Sequence, residues 1–350
     1  MKIARGLLVA GVVAFVSKPA PAAEMRLEYR VVFASAKDLG RQMESAGRDG
    51  FACVAVARPD PGAAPPGVVV LLGRPAGAPA AAVANRVVVG GWAGTDLEAP
   101  LDRAGGEGFR LCGVVLDEEP PNSALVAVLT RRDGAPVAAR YAVEVLKNYK
   151  ESLVRLNARG AEGFVPVAAA PVNDNRVPDM RSWMVVIERV GESAPAREVA
   201  VRSNSGPDGF QKALNENGGQ GYRLDLAWKE GNDAVAMLSR PKGGGKGVTF
   251  AVETATVDKI HWVKGLYLVD MPFRSDERLV VCESGTSAST DVEGDPLPPL
   301  NRSGAADSEA LEVIGSHLGR HPGFSPAFAR IGRGPGGTFV LSTVLTQRRP

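Results

Sequence analysis

The sequence predicts an α+β fold of tandem β-α-β-β units, each a three-stranded, mainly antiparallel sheet with one helix on one face. Two observations predict it. A short phrase (glycine, two residues, glycine, aromatic) recurs along the 350 residues. A helical pattern precedes each copy and a β-strand pattern follows it. Recurrence of this kind is typical of one supersecondary unit repeated in tandem.

The phrase occurs four times in full and once in a reduced form. Its aromatics are 58, 55 and 58 residues apart, and the last interval is 102 residues. In the reduced copy Arg320 stands in the place of the first glycine. The glycines and aromatics are Gly47, Gly50 and Phe51; Gly105, Gly108 and Phe109; Gly160, Gly163 and Phe164; Gly218, Gly221 and Tyr222; and Gly323 and Phe324.

The first unit shows the pattern most plainly. Apolar and polar residues alternate over 27–33, which predicts a half-buried strand. Ser35 is a favourable N-cap, and Leu39 and Met43 lie on one face of the helix that follows. We expect this helix to stop at Gly47 in a left-handed conformation, which costs glycine least. The second and third strands are predicted at 51–56 and 68–72.

The later units repeat this order. Each third strand of the first four units ends with an apolar residue, one spacer and an arginine, namely Arg74, Arg131, Arg189 and Arg240. The predicted units span 25–79, 80–134, 135–190, 195–242 and 247–350.

The order of elements restricts the topology. A strand-helix-strand crossover leaves its two strands parallel, so the third strand can lie between them and antiparallel to both. Residues 68–72, 125–129 and 234–238 are apolar on both faces, which is typical of a strand covered on both sides. The helix covers one face, so we expect the units to pack through their sheets.

The fifth unit departs from the pattern. Its first strand, 248–257, is not followed by the expected helix. We assign an insertion at about 258–307, and the unit then resumes with a predicted helix at 308–318. Long insertions in compact arrays often carry function.

Residues 1–22 resemble a secretory signal peptide. Lys2 and Arg5 precede an apolar run over 6–16, and Ala20-Pro21-Ala22 offers a cleavage site. We expect an exported protein, periplasmic or secreted, with a retained membrane anchor as the alternative. No stable membrane span is expected after cleavage, because no later apolar stretch has the required length.

The charge argues against nucleic acid as a partner. Cleavage after residue 22 would remove three basic residues and no acidic one, leaving 38 basic and 39 acidic residues. Phosphate binding requires a concentrated basic surface, and the sequence has no block of Lys and Arg.

The three cysteines are few for an exported chain. Cys53 lies two residues after its aromatic and Cys112 three after its own. In regular strands these offsets point to opposite faces. We therefore expect buried free thiols rather than a bridge between repeat-related positions.

The stretches 156–164 and 214–222 resemble a small bacterial β-α-β-β domain family of unknown function. Its members share a Leu-Asn-x-x-Gly-x-Glu-Gly-aromatic motif and an apolar-x-Arg end to the last strand. The resemblance implies architecture and no catalytic residue. It covers the first four units and, weakly, the fifth.

Candidate binding residues lie where the pattern weakens. His317 and His321 are four residues apart, a spacing that can hold a metal ion, and the helix dipole also favours histidine near a helix C-terminus. We assign no metal. His261, Trp262 and Tyr267 in the insertion complete the candidate set. The Gly-rich stretch 243–247 lacks the spacing of a phosphate loop and is interpreted as a linker.

The sequence therefore predicts an exported, non-enzymatic repeat protein that serves as a scaffold or interaction module of the bacterial envelope. We assign no catalytic residue and no cofactor, and another envelope protein is the expected partner. The alternative is an enzyme or a ligand- or metal-binding protein with a site built by the fifth-unit insertion.

Overall fold

The computed structural model describes residues 27–57, 67–75, 83–91, 93–117, 123–132, 137–146, 149–173, 181–230 and 233–256. It also describes the backbone of 266–272, 277–283, 287–289, 295–297, 325–333 and 339–347. Side chains are described as far as Val252.

The first four units have the predicted order of elements. They comprise β1 (Leu27–Ala34), α1 (Ala36–Arg48), β2 (Ala52–Ala57) and β3 (Val68–Pro75); β4 (Val83–Gly91), α2 (Glu98–Gly106), β5 (Arg110–Asp117) and β6 (Ala124–Arg132); β7 (Ala139–Leu146), α3 (Tyr149–Ala161), β8 (Val165–Asn173) and β9 (Arg181–Val190); and β10 (Arg197–Asn204), α4 (Pro207–Gly218), β11 (Arg223–Glu230) and β12 (Asp233–Pro241).

Each of these units forms one three-stranded antiparallel sheet. The third strand lies in the centre and pairs with the first strand on one edge and the second on the other. The second strand carries a β-bulge near its start in all four sheets, between Cys53 and Ala55 in the first. The predicted fold class is confirmed.

The region from 247 onwards carries two sheets where the sequence suggested one unit with an insertion. The fifth sheet contains β13 (Phe250–Thr256), β14 (Leu266–Pro272) and β15 (Glu277–Glu283), in the order β13-β15-β14. Two of its strands therefore fall within the predicted insertion. The sixth contains β16 (Ser287–Ser289), β17 (Asp295–Leu297), β18 (Ser325–Arg333) and β19 (Phe339–Gln347), and β19 pairs with the other three. The helix predicted at 308–318 lies outside the described residues.

Successive sheets stack face to back. Val68, Val70 and Leu72 of β3 face α1, and the same cluster contains Val126 and Val128 of β6. The alternate residues of β6, such as Leu125, face α2 in the next cluster. The helix-bearing face of one sheet is therefore covered by its own helix together with the back of the next sheet. In β9 and β12, likewise, alternate residues belong to two different hydrophobic clusters, one on each face of the sheet.

The contacts close this stack into a ring. Each second strand contacts the second strand of the next sheet, from β2 through β5, β8 and β11 to β14, which contacts β18. Strand β18 in turn contacts β2. The back of the first sheet is buried as expected for a closed ring, since Val31 is 3% and Leu71 1% exposed. The second strands surround the axis. Helices α1, α3 and α4 each fill the outer gap between their own first strand and the first strand of the next sheet, and α2 packs on β7 of the next sheet.

Candidate functional site

The recurring residues of the first four units lie at one end of the ring. Helices α1 to α4 and the third strands end there, and the first and second strands begin there, as the antiparallel registers require. We call this the motif end and the opposite side the far end. The motif end is the candidate functional site, because it concentrates the repeated polar and charged side chains.

The second glycine of the phrase makes the turn from helix to strand. Its φ is +81° at Gly50, +86° at Gly108, +90° at Gly163 and +85° at Gly221. This left-handed conformation favours glycine over any residue with a side chain. The amide of each such glycine donates to the carbonyl of the first glycine of its phrase.

The first glycine has a different role from the one predicted. Helix α1 continues through Gly47 to Arg48, so Gly47 is helical and not a left-handed stop. A Cβ on Gly47 would lie 2.4 Å from the carbonyl oxygen of Val83 in the next unit. The corresponding distances are 2.4 Å for Gly105, 2.7 Å for Gly160 and 2.5 Å for Gly218. Each first glycine thus lets its helix approach the chain at the first strand of the following unit.

The arginine that ends each third strand lies over the aromatic of the phrase. The guanidinium of Arg74 is 4.5 Å from the ring centroid of Phe51, and Arg30 lies over the same ring at 4.5 Å. Arg74 also donates to the carbonyl oxygen of Asp49 in the turn at 2.8 Å and to the carboxylate of Glu28 at 2.7 Å. The equivalent cation-ring contacts are Arg131 with Phe109 at 4.8 Å, Arg189 with Phe164 at 5.4 Å and Arg240 with Tyr222 at 4.5 Å.

This arginine clasp explains why the sequence pairs an aromatic with an apolar-x-Arg ending. A guanidinium over an aromatic face gains electrostatic energy from the ring quadrupole. In the first, second and fourth units its N–H groups also donate to a turn carbonyl. Glu107, in the turn of the second phrase, is half-exposed and pairs with Arg86 at 2.5 Å. The clasp holds the turn and the sheet of one unit together.

An asparagine two turns before the aromatic joins one unit to the next. The side-chain nitrogen of Asn157 donates to the carbonyl oxygen of Val199 at 3.1 Å. Its side-chain oxygen accepts from the backbone N–H of Val199 at 2.8 Å. Asn215 makes the same pair of bonds with Phe250, at 2.8 and 2.6 Å. The asparagine side chain thereby forms hydrogen bonds with a backbone N–H and a backbone carbonyl of the outer strand, as a neighbouring β-strand would.

Asp102 holds the equivalent position in the second unit. Its carboxylate accepts from the amide of Tyr141 at 3.0 Å and from Arg140 at 2.6 Å. Burial acts to raise the pKa of Asp102, but these two hydrogen bonds and the charge of Arg140 outweigh it and lower the pKa below its ordinary value. The carboxylate therefore stays ionised at neutral pH.

Buried polar groups complete the junctions near the phrase. Asn85 donates to the carbonyl oxygens of Met43 and Phe51 in the preceding unit, at 3.2 and 2.8 Å, and accepts from Thr130 at 2.7 Å. Such a residue stabilises a junction only when its partners are all present, since an unpaired buried amide costs free energy.

The next junction uses a phenol in place of the amide. The hydroxyl of Tyr141 donates to the carboxylate of Glu188 at 2.5 Å and accepts from the amide of Leu111 at 2.8 Å. Arg110 balances the charge of Glu188 at 2.6 Å. Burial and the neighbouring carboxylate raise the pKa of Tyr141 well above its ordinary range, so the phenol remains a hydrogen-bond donor and does not act as a base.

A disulfide links the inner strands of the first two sheets, contrary to the expectation of free thiols. Cys53 in β2 is bonded to Cys112 in β5, with their Cα atoms 6.1 Å apart. The two cysteines do occupy opposite faces of their own sheets. Face-to-back stacking brings those opposite faces together, and Cys112 lies at the bulge between Leu111 and Gly113.

Most of the candidate binding residues from the sequence lie outside the described residues. This applies to His261, Trp262, His317 and His321, and to Gly323 and Phe324 of the reduced phrase. Tyr267 lies in β14, where its backbone is opposite Val281. The proposed site in the fifth-unit region therefore stays a prediction.

Comparisons with protein-family models, with curated proteins and with solved structures find no match to this chain. Function is thus argued from the geometry. In the described part of the chain, no group of three or more His, Cys, Asp or Glu residues is placed to hold a metal ion. Among the same residues, no helix has the length and apolar character needed to cross a membrane.

Sequence reasoning missed the residues that join the units. The position seven before each aromatic is Glu44, Asp102, Asn157, Asn215 and, in the reduced copy, His317. A polar residue at a fixed offset on an otherwise amphipathic helix was the pattern that could have revealed them. Because His317 occupies this position in the reduced copy, it has a second interpretation beside metal binding: a polar side chain that joins one unit to the next.

Proposed function

We propose that this protein is an exported, non-enzymatic scaffold that presents a rigid ring to a partner in the bacterial envelope. One observation carries the proposal: the repeated polar side chains form bonds within the ring. Asn157 and Asn215 bind the next outer strand, and the clasp arginines Arg74 and Arg240 bind the turns of their own units. Side chains whose hydrogen-bonding groups are already paired within the ring stabilise a rigid structure and are not free to react with a substrate.

The disulfide supports the proposed export. Disulfides form and persist in oxidising compartments, which include the periplasm and the cell exterior. The Cys53–Cys112 bond closes a loop across 59 residues of sequence. It agrees with the signal peptide proposed for residues 1–22. The β-α-β-β order of the first four units also supports the proposed membership of the small domain family that the phrase resembles.

Thiol trapping in cells tests the proposed compartment. We expect Cys53 and Cys112 of the full chain to resist alkylation unless they are first reduced. A chain lacking residues 1–22 should remain in the cytoplasm with both thiols reactive. The matched control is Cys53→Ser/Cys112→Ser, which leaves Cys282 as the sole cysteine. Reactive thiols in the full chain would contradict the proposed export.

Crosslinking in intact cells tests the scaffold role. A non-enzymatic scaffold should yield one defined crosslinked species with a specific envelope partner, and the purified ring should show no turnover of common ester, peptide or glycoside substrates. A monomer that is never crosslinked and that turns over substrate would contradict the proposal. Loss of that turnover in His317→Ala would then favour the fifth-unit region as an active site.

A further inference from the structure

We propose that the motif end of the ring binds an anionic phospholipid surface. This inference rests on the proposed export, because it places the ring beside a membrane of the envelope. It is carried by the distribution of charge between the two ends and by the place where the chain enters the ring.

Five exposed basic residues without an ion-pair partner in the described part of the chain lie at the motif end, whereas Lys37 and Lys212, which also lack one, lie away from it. Arg48 ends α1, Arg103 lies in the last turn of α2 and Arg132 ends β6. Lys242 and Lys246 lie in the connector that follows β12. The clasp arginines lie at the same end, where Glu28 and Glu198 offset the charges of Arg74 and Arg240, so the uncompensated positive charge comes from the five unpaired residues.

The far end has the opposite character. Each helix begins there with an acidic residue in its first turn: Asp38, Glu98, Glu151 and Asp208. Glu230 ends a second strand at the same side, and Asp233 begins a third strand. The near-neutral net charge of the chain thus conceals an uneven distribution of charge between the two ends, although the motif end also carries the exposed carboxylates of Glu44 and Glu216.

Helix dipoles explain part of this polarity but not all of it. Acidic residues at helix N-termini and basic residues at C-termini are favourable within the fold itself. Arg132, Lys242 and Lys246 lie outside the helices, where the dipole gives them no such benefit. They are exposed and, in the described structure, engage no other charged side chain.

The chain enters the ring at the basic end. The first described residue, Leu27, pairs with Pro75 at the end of β3, which belongs to the motif end. The described part of the chain therefore begins at this face. A membrane beside the entry point would meet the basic groups, while the acidic far end would point away from it.

Anionic lipid fits this surface better than a nucleic acid. Basic residues spread over one face attract an extended layer of phosphate headgroups, at about a fivefold gain in partitioning for each Lys or Arg near the surface. A nucleic acid would need a more concentrated basic surface, and the sequence has no block of Lys and Arg.

Vesicle sedimentation tests the proposal with purified residues 23–350. The probes are vesicles of phosphatidylcholine alone and of phosphatidylcholine with phosphatidylglycerol. We expect binding to the anionic vesicles only, and its loss near 1 M salt, where the Debye length is about 3 Å. In the triple variant Arg48→Gln/Arg132→Gln/Lys242→Gln, affinity should fall about a hundredfold.

The matched control removes three positive charges elsewhere. Lys37 and Arg41 lie in the first half of α1 and Arg202 near the far end of β10, and the variant Lys37→Gln/Arg41→Gln/Arg202→Gln should bind within about threefold of the unaltered chain. Equal losses in both variants, equal binding to neutral vesicles or no binding would overturn the proposal. So would tighter binding to a soluble polyanion such as heparin than to the vesicles. The thiol-trapping result is independent of these outcomes, so failure of export and failure of lipid binding are distinguishable.

Discussion

Replacing Gly47 with alanine tests the close junction between successive units. The added Cβ would lie 2.4 Å from the carbonyl oxygen of Val83, a full ångström inside the 3.4 Å at which ordinary contact begins. Helix α1 or strand β4 must therefore move. Gly40 lies in the same helix and provides the control, since a Cβ there meets nothing within 4 Å.

The two substitutions should shift the free energy of unfolding in opposite directions. Alanine in place of glycine within a helix stabilises by about 1 kcal/mol, and Gly40→Ala should show this gain. Gly47→Ala receives at most the same gain and must offset an overpacking cost of about 1–3 kcal/mol. Separation of the two elements also weakens the bonds from Asn85 to Met43 and Phe51, each with a net value of about 1 kcal/mol. We expect Gly47→Ala to destabilise by about 1–3 kcal/mol.

Urea unfolding of residues 23–350, followed by circular dichroism with the disulfide intact, measures both variants. The midpoint should rise for Gly40→Ala and fall for Gly47→Ala. Equal stabilisation by both alanines would refute the proposed reason for the first glycine. The pair Gly105→Ala and Gly106→Ala repeats the test in α2, because a Cβ on Gly106 also meets nothing within 4 Å.

Three further predictions follow from the junctions. Cys53→Ser/Cys112→Ser should lose about 4 kcal/mol, as expected for a loop of 59 residues, and a reductant should lower the melting temperature of the unaltered chain but not of this variant. Asn157→Leu should cost about 2 kcal/mol, because it leaves two backbone groups of β10 unpaired, and hydrogen exchange should rise at that strand before others. The lowered pKa of Asp102 stabilises the fold at pH values above its ordinary pKa of 3.8, and this stabilisation is lost as pH falls through the lower folded-state pKa. In an acid titration, Asp102→Asn should not show this loss of stability. An acid transition identical to that of the unaltered chain would contradict the prediction.

Local patterns predicted the parts of the fold that local physics determines. Alternation over 27–33 indicated β1, and Leu39 and Met43 indicated the buried face of α1, because side-chain periodicity follows backbone geometry. The apolar composition of 68–72 placed the third strand in the centre of its sheet, and β3 does pair with both neighbours.

Relations between units could not be predicted in the same way. The role of Gly47 depends on the position of Val83, which belongs to another unit, so no local pattern contains it. The cysteine prediction was wrong because it assumed that equivalent faces meet. Cys53 and Cys112 lie on opposite faces of their sheets, and the stacking direction brings those faces together.

The two glycines of the phrase therefore act at different levels of the structure. The second glycine, such as Gly50, determines the turn within a unit through its positive φ. The first, such as Gly47, determines how closely the next unit packs. A unit with a buried back face cannot be stable alone, because that face needs the preceding sheet. For the first sheet no earlier unit exists in the described chain, and the contact of β18 with β2 places the sixth sheet beside it. Closure of the ring thus follows from the same packing rule that joins each unit to the next.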